Sequence, residues 1–245
     1  MIKILHLYFD LMSLYGDWAN PEVLAMELGG RGIKSTIVKK SVGEDFELDN
    51  CDFLYIGSGT ERSLLACSLD IMRCRAQILR RIEDGMHVLA TGNSHELFGK
   101  SVICGDGERY AALGLMDFVT TQGPGRVTGD CLCRTSFLSD KLIGFINRAS
   151  IGQDGSFRRP FELELGFGSS DGGKTEGIQY KNMLGTYMTG PILARNPPLL
   201  KYFADKLDGK KDDLKSCEEK NTFFAFQDDA YTKALSELSA RAANS

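Results

Sequence analysis

Residues 52–90 read DFLYIGSGTERSLLACSLDIMRCRAQILRRIEDGMHVLA, and the order of patterns within them decides the fold. Asp52–Ile56 is a short apolar run of strand character, followed by Gly57-Ser58-Gly59. Leu64–Ile82 then carries Leu65, Ile71, Ala76, Ile78, Leu79 and Ile82 on one broad face, which predicts one long amphipathic helix. It stops at Asp84-Gly85, and His87–Ala90 returns to an apolar strand pattern. A strand, a covering helix and a second strand of this length form a unit whose strands lie parallel and are buried on both faces.

Upstream, Ile2–Tyr8 reads as a buried strand, Pro21–Leu28 as a helix ended by Gly29-Gly30, and Ile33–Val38 as another strand. Downstream of residue 100, turn residues separate the runs Leu115–Thr120, Arg126–Cys133, Leu142–Phe145, Glu162–Leu165 and Gly177–Leu184. These predict antiparallel strands added at one side of the parallel sheet. Pro191–Leu207 reads as a helix, Asp208–Glu219 as a charged connector and Phe223–Ala243 as a last helix. The reading is one α/β domain over 1–207, with 208–245 supplying a connector and a helix that packs on it.

Composition narrows the function. The chain has 245 residues, 29 basic and 33 acidic, for a net charge of −4. That balance argues against general nucleic-acid binding, which needs a basic stripe. No apolar run approaches the ~18 residues of a membrane span, and Asp10 cuts the apolar start too early for a signal peptide. Seven cysteines without paired spacing suit reduced thiols and a cytoplasmic setting.

Three motifs are decoys. Gly92–Ser101 ends Gly-Lys-Ser, but six residues separate its glycines where a phosphate loop needs four. Gly92-Asn93-Ser94-His95-Glu96 approaches a serine nucleophile elbow, yet no histidine follows it in the chain to act as base. Cys131 and Cys133 share a strand face without the partners a metal site requires. No metal or cofactor is implied.

Four segments together carry a resemblance. His6–Asn20, HLYFDLMSLYGDWAN, is similar to H-L-Y-P-D-L-M-N-L-Y-G-D-x-G-N, and Tyr55–Arg62, YIGSGTER, to F-I-G-G-G-x-D-R. Gly125–Asp130, GRVTGD, resembles N-R-L-T-G-D, and Glu176–Asn196, EGIQYKNMLGTYMTGPILARN, resembles E-G-x-x-Y-K-N-L-x-G-T-Y-L-H-G-P-x-L-P-K-N. These are motifs of the glutaminase subunit of bacterial lipid II isoglutaminyl synthase, within the class I, cobyric-acid-synthase-like glutamine amidotransferases.

The resemblance implies a three-layer α/β/α domain with a mixed, mainly parallel sheet and a site at the carboxyl ends of its strands. It implies a cysteine that attacks glutamine, a later histidine that activates it, and backbone N–H groups that hold the oxyanion. It also implies an arginine for the substrate carboxylate and a Mur-ligase-like partner that receives the ammonia and amidates the D-glutamate of the peptidoglycan stem peptide.

The reactive residues depart from the family pattern. The nucleophile position of A-x-C-G-G-Y-Q-L-L-G is Gly92, and the histidine position of T-Y-L-H-G-P is Thr189. Glycine offers no nucleophile, and threonine is no base near neutral pH. Asn93 and Ser58 stand where the family has glycine, and Arg148 where G-F-E-N-H-G-G has histidine. Cys104 with His95 is the available substitute pair. Arg126, Gly57, Ser58, Gly59 and Asn93 are the candidate ligand-binding residues. Three functions follow: a non-hydrolytic scaffold or regulator of a Mur-ligase-like or other amide-forming synthetase, a glutaminase using other residues, or a binder of glutamine or an amino-acid-like ligand.

Overall fold

The computed structural model describes residues 1–170, 172–209 and 224–244. Its central strand, β3 (Phe53–Ile56), is buried at every position. Alternation sends Phe53 and Tyr55 to one side and Leu54 and Ile56 to the other, into two different apolar clusters. Each such side chain removed from water contributes about 1.5–3 kcal/mol, so the short run FLYI fixes both faces of the sheet.

Around β3 lie β1 (Ile2–Leu7), β2 (Ser35–Lys40), β4 (His87–Thr91), β11 (Ile178–Tyr180) and β12 (Met183–Thr186). Their order is β11-β12-β4-β3-β1-β2, parallel throughout except for β11, which pairs antiparallel with β12. One face is covered by α2 (Glu61–Ile71) and α3 (Arg75–Glu83) through Leu64, Cys67, Ile71, Ile78 and Ile82. The other is covered by α1 (Ala19–Gly30) and α5 (Pro197–Asp208) through Leu24, Leu28, Leu199, Leu200 and Phe203. The expected α/β class with a mixed, mainly parallel sheet is therefore present.

Several element boundaries differ from expectation. The single helix over 64–82 is two helices separated by a 3-10 turn at Met72–Cys74. Asp70, at the break, is drawn into tertiary contacts: its carboxylate accepts from Tyr8 Oη (2.9 Å), the Gly43 N–H (3.0 Å) and Arg73 Nε (2.9 Å). The helix over 191–207 is likewise broken, into α4 (Ile192–Arg195) and α5, at Asn196, which precedes Pro197 and is kept out of helical geometry. The run Gly177–Leu184 is a hairpin, turning at Lys181 with φ 48°.

The other strands do not extend the parallel sheet. They form a second one from β5 (Ser101–Ile103), β6 (Arg109–Ala111), β7 (Val119–Thr135), β8 (Leu138–Asp154), β9 (Phe161–Leu165) and β10 (Thr175–Glu176). The runs at 115–120 and 126–133 join in β7, whose partner β8 is as long, so the two satisfy one another's backbone instead of an edge of the parallel sheet. Cys131, Cys133, Leu142 and Ile146 on their inner face join the cluster of Leu89 and Leu184, while α6 (Ala225–Ala243) lies on the outer face through Leu238 and Tyr231. Most of the 208–219 connector falls outside the described residues.

Between Gln122 and Val127 the β7–β8 register slips, and Gly123–Arg126 bulges away from the ladder. This bulge brings Arg126 toward the carboxyl ends of the parallel strands. The loop after β3 carries Gly57–Gly59, the turn after β4 carries Gly92–Phe98 as a 3-10 helix, and the segment after β12 carries Thr189.

Candidate functional site

The turn after β4 is built to hold a residue with positive φ: Gly92 has φ +62°. Its N–H donates to the carbonyl of Met188 (3.1 Å), so position 92 and the 188–189 segment adjoin although 96 residues apart in sequence. What is absent between them is a reactive group. A Cβ placed on Gly92 would fall 2.2 Å from Ser58 Cβ and 3.1 Å from Ser58 Oγ. The Ser58 side chain therefore fills the space that a side chain at 92 would need. Thr189 is 3% exposed, and both its N–H and its hydroxyl donate to the Phe145 carbonyl, at 2.8 and 3.1 Å.

Ser58 is held by Asp17, whose Oδ2 accepts from the Ser58 N–H (2.5 Å) and the Ser58 hydroxyl. Burial pushes the Asp17 carboxyl up to about 7, against the lowering effect of those bonds. Gly57 and Gly59 are glycine for a packing reason. A Cβ on Gly57 would lie 2.3 Å from the Met12 carbonyl oxygen, and one on Gly59 2.3 Å from Met12 Sδ. Asn93 closes the loop from the other side: its Oδ1 accepts from the Gly59 N–H and its Nδ2 donates to the Gly59 carbonyl, each at 3.0 Å.

The substitute pair Cys104 and His95 is not assembled. His95 is fully buried, with Nδ1–H donating to the Gly92 carbonyl (2.7 Å) and Nε2 accepting from Gln153 Nε2 (2.9 Å). The amide of Gln153 is oriented by Arg159, which donates to its Oε1 (2.9 Å) and so leaves its nitrogen for the imidazole. Burial lowers the His95 pKa to about 3, which keeps the ring neutral. Cys104 lies half-buried at the edge of a cleft, its thiol pushed up by burial and by the Asp106 and Glu108 carboxylates. A thiol so placed is a poor nucleophile. Ser94, the decoy serine, donates to the Ile56 and Thr91 carbonyls, both at 2.9 Å, inside the core.

Arg126 lines that cleft, a depression of about 450 Å3 that also takes in Glu61, Arg62, Gln122 and Cys104. Its NH1 donates to Glu61 Oε1 (2.7 Å) and its Nε to Asn147 Oδ1 (2.6 Å), while Asn147 Nδ2 donates to Tyr15 Oη (2.9 Å). The structure thus separates the candidate residues into a closed knot of Gly57, Ser58, Gly59, Gly92 and Asn93, and an open cleft with Arg126.

Behind the elbow lie buried ionisable side chains: Glu96 and Glu176, which the sequence reading did not single out, and Arg148, which it noted only as a departure from the family motif. Glu96 accepts from Tyr187 Oη (3.0 Å), and burial raises its carboxyl to about 8. Glu176 accepts from the Tyr187 N–H (2.5 Å) and the Thr186 hydroxyl (2.7 Å), and burial raises it to about 7. Arg148 is 1% exposed, over the Tyr187 ring at 5.7 Å. A signal existed: Arg148 alternates with Ile146 and Ser150, on the inward face of β8.

The fold, with altered loops at the carboxyl ends of β3, β4 and β12, defines the class. The chain belongs to the CobB/CobQ-like glutamine amidotransferase domain family, whose model matches residues 3–197. Within it, the chain is 31% identical over 210 residues to the "lipid II isoglutaminyl synthase (glutamine-hydrolyzing) subunit GatD" of Staphylococcus aureus (strain N315), covering 86% of each. The subunit of the same name from Streptococcus pneumoniae (strain ATCC BAA-255 / R6) is 29% identical over 203 residues, covering 81% of this chain and 77% of that one. The fold is similar to that of PurLQS from Thermotoga maritima, with TM-score 0.56 and 11% identity over 85% of this chain and 99% of that one. A crystal structure of a glutamine amidotransferase also gives TM-score 0.56, at 16% identity, over 83% of this chain and 98% of that one.

Proposed function

We propose that this chain is a degenerate glutamine amidotransferase subunit that does not hydrolyse glutamine and acts as scaffold or regulator of an amide-forming synthetase of Mur-ligase type, in cell-wall or cofactor amidation. The observation that carries the reading is the exchange at positions 58 and 92: the elbow residue is Gly92, and Ser58 occupies the room its side chain would take. Thr189, bonded twice to one carbonyl, offers no base. His95 is neutral, enclosed and fully engaged, so its imidazole does not serve Cys104. The relatives named as synthase subunits support a partner. So do Leu14, Tyr15 and Trp18, large apolar side chains left exposed in the turn whose Tyr15 holds Asn147 beside Arg126.

The test is ammonia release from L-glutamine, by the chain alone and with its synthetase, next to labelling by a glutamine-mimicking diazo-ketone. The expected result is neither release nor labelling, with amidation by the complex supported by ammonium salts only. Glutamine-dependent release that disappears in Cys104→Ser would overturn the proposal in favour of an active glutaminase.

A second reading is supported by the cleft. Arg62 and Arg126 line it together with Glu61, so it presents both signs of charge, as the head of an amino acid does. A binder of that class responds to free amino acids with a rise in Tm that Arg126→Ala removes.

A further inference from the structure

The inner face of the β7–β8 ladder changes character along its length. At one end Cys131, Cys133, Leu142 and Ile146 are apolar core. At the other, Thr120 lies opposite Gln153 and Gln122 opposite Ser150, with Arg148 two residues before Ser150 on the same face. This polar end meets Tyr187, whose hydroxyl adjoins both Glu96 and Ser150 and whose ring centre lies 5.7 Å from the Arg148 guanidinium. Arg148 donates from Nη2 to the Gly168 carbonyl (2.8 Å), but its Nε and Nη1 have no partner among the described residues. The same holds for Ser150 Oγ, Thr120 Oγ1 and Glu96 Oε2, all enclosed. Buried polar groups are normally bonded, and a guanidinium, which is always charged, is costly to enclose without a counter-charge. Glu96 and Glu176 are within electrostatic reach of Arg148, but burial raises their carboxyls to about 8 and about 7, so neither supplies a full negative charge at neutral pH. The two motifs matched in the sequence, A-x-C-G-G-Y-Q-L-L-G and G-F-E-N-H-G-G, have glutamine and histidine at the positions of Glu96 and Arg148, so this carboxyl and guanidinium are a pairing those motifs do not contain.

We propose that Arg148, with the Ser150 hydroxyl and the Glu96 carboxyl, holds a small monovalent inorganic anion of the halide class between the second sheet and the elbow. The unmet groups are all able to donate: the guanidinium N–H groups, the hydroxyls, and Glu96 Oε2 while that carboxyl keeps its proton. Their complement is an acceptor that carries negative charge. The cost of desolvating an ion grows with the square of its charge, so an enclosed site with one unpartnered guanidinium selects a monovalent anion over sulfate. Gln122 gives access, because it lines the open cleft and its side chain adjoins the Glu96 carboxyl. The anion ties β8 to the turn after β4, and so braces the elbow whether or not the chain hydrolyses glutamine.

The experiment replaces sodium gluconate by sodium chloride, sulfate or acetate at constant ionic strength and pH 6.5, and follows Tm of the native chain, Arg148→Gln and Arg148→His. Crystals of the native chain soaked in sodium bromide locate the anion by anomalous scattering. The expected result is a saturable rise with chloride, about 3–6 °C at ten times Kd, none with sulfate, and none with any salt in the variants. Bromide should appear at hydrogen-bond distance from Arg148 Nε or Nη1. An equal response to sulfate, a saturable response that survives in either variant, or water alone beside Arg148 in the bromide crystals would overturn the site. A response to acetate without one to chloride would overturn the halide and assign the guanidinium to the carboxylate of an organic ligand. If neither variant folds, the bromide position in the native chain decides.

Discussion

Placing cysteine at position 92 alone should cost stability without giving activity, and the cost follows from two features of the backbone. The new Cβ falls 2.2 Å from Ser58 Cβ, 3.1 Å from its Oγ and 3.2 Å from its Cα, where an unstrained contact needs more than 3.4 Å. Overpacking of this kind costs about 1–3 kcal/mol. A side chain at φ +62° adds about 1–2 kcal/mol. The sum, about 2–5 kcal/mol, lowers Tm by roughly 5–15 °C in a chain of this length. Ser58→Gly alone is also destabilising, by about 1–2 kcal/mol, because Asp17 loses the Ser58 hydroxyl. In Ser58→Gly/Gly92→Cys the worst contact is gone, so the double variant is more stable than the two single losses predict, by about 1–3 kcal/mol. Urea unfolding followed by circular dichroism measures all four corners of the cycle. A Gly92→Cys protein as stable as the native chain, or a coupling of zero, would falsify the claim that Ser58 fills the elbow. The same geometry makes Gly92→Cys/Thr189→His insufficient to restore ammonia release, because Ser58 and Asn93 still occupy the space and the Gly59 N–H.

Three further predictions are independent of that cycle. Burial raises the Glu96 and Glu176 carboxyls in the folded chain to about 8 and about 7, above the ordinary 4.5 of a glutamate, so the folded state retains protons that the unfolded chain has released. Their contribution to stability therefore falls as pH rises from 4.5 through 8, and above pH 6.5 the opposing contributions of His95 and His6, lowered to about 3 and about 4, are already complete. Glu96→Gln should flatten the decline between pH 6.5 and 8 in denaturant titrations, and an unchanged slope would mean that Glu96 does not hold its proton there. Cys104 should react with iodoacetamide at pH 7 more slowly than a model thiol, since its pKa is raised; faster labelling would revive it as a nucleophile. Asn196→Ala should cost about 2–4 kcal/mol, because it leaves the N–H and carbonyl of Ile143 without their 2.8 and 2.9 Å partners inside the core; a loss within ~0.5 kcal/mol, as for a surface site, would contradict this.

How much was readable in advance depended on the range of the interaction involved. The alternation of FLYI, the amphipathic stretch after it and the returning strand HVLA are local patterns, and they announced the parallel sheet. Where Leu64–Ile82 reads as one helix, Asp70 is drawn out by Tyr8 and Gly43, residues from two distant loops that no local period contains. The second sheet was hidden for a related reason: the pairing of β7 with β8, and their distance from the edge of the first sheet, are decided by long-range backbone bonds.

The sequence by itself determined which chemical groups stand at the decisive positions, and with them the family. Glycine at 92 and threonine at 189 need only residue identity and motif register to be recognised. Tertiary structure decided what those identities mean. It set the Ser58 side chain into the space beside Gly92, turned the Asn93 amide onto Gly59, and enclosed His95 between Gly92 and Gln153. Each of these contacts spans different strands or loops, and hydrogen bonds and steric overlap act over a few ångströms in space, whatever the separation along the chain.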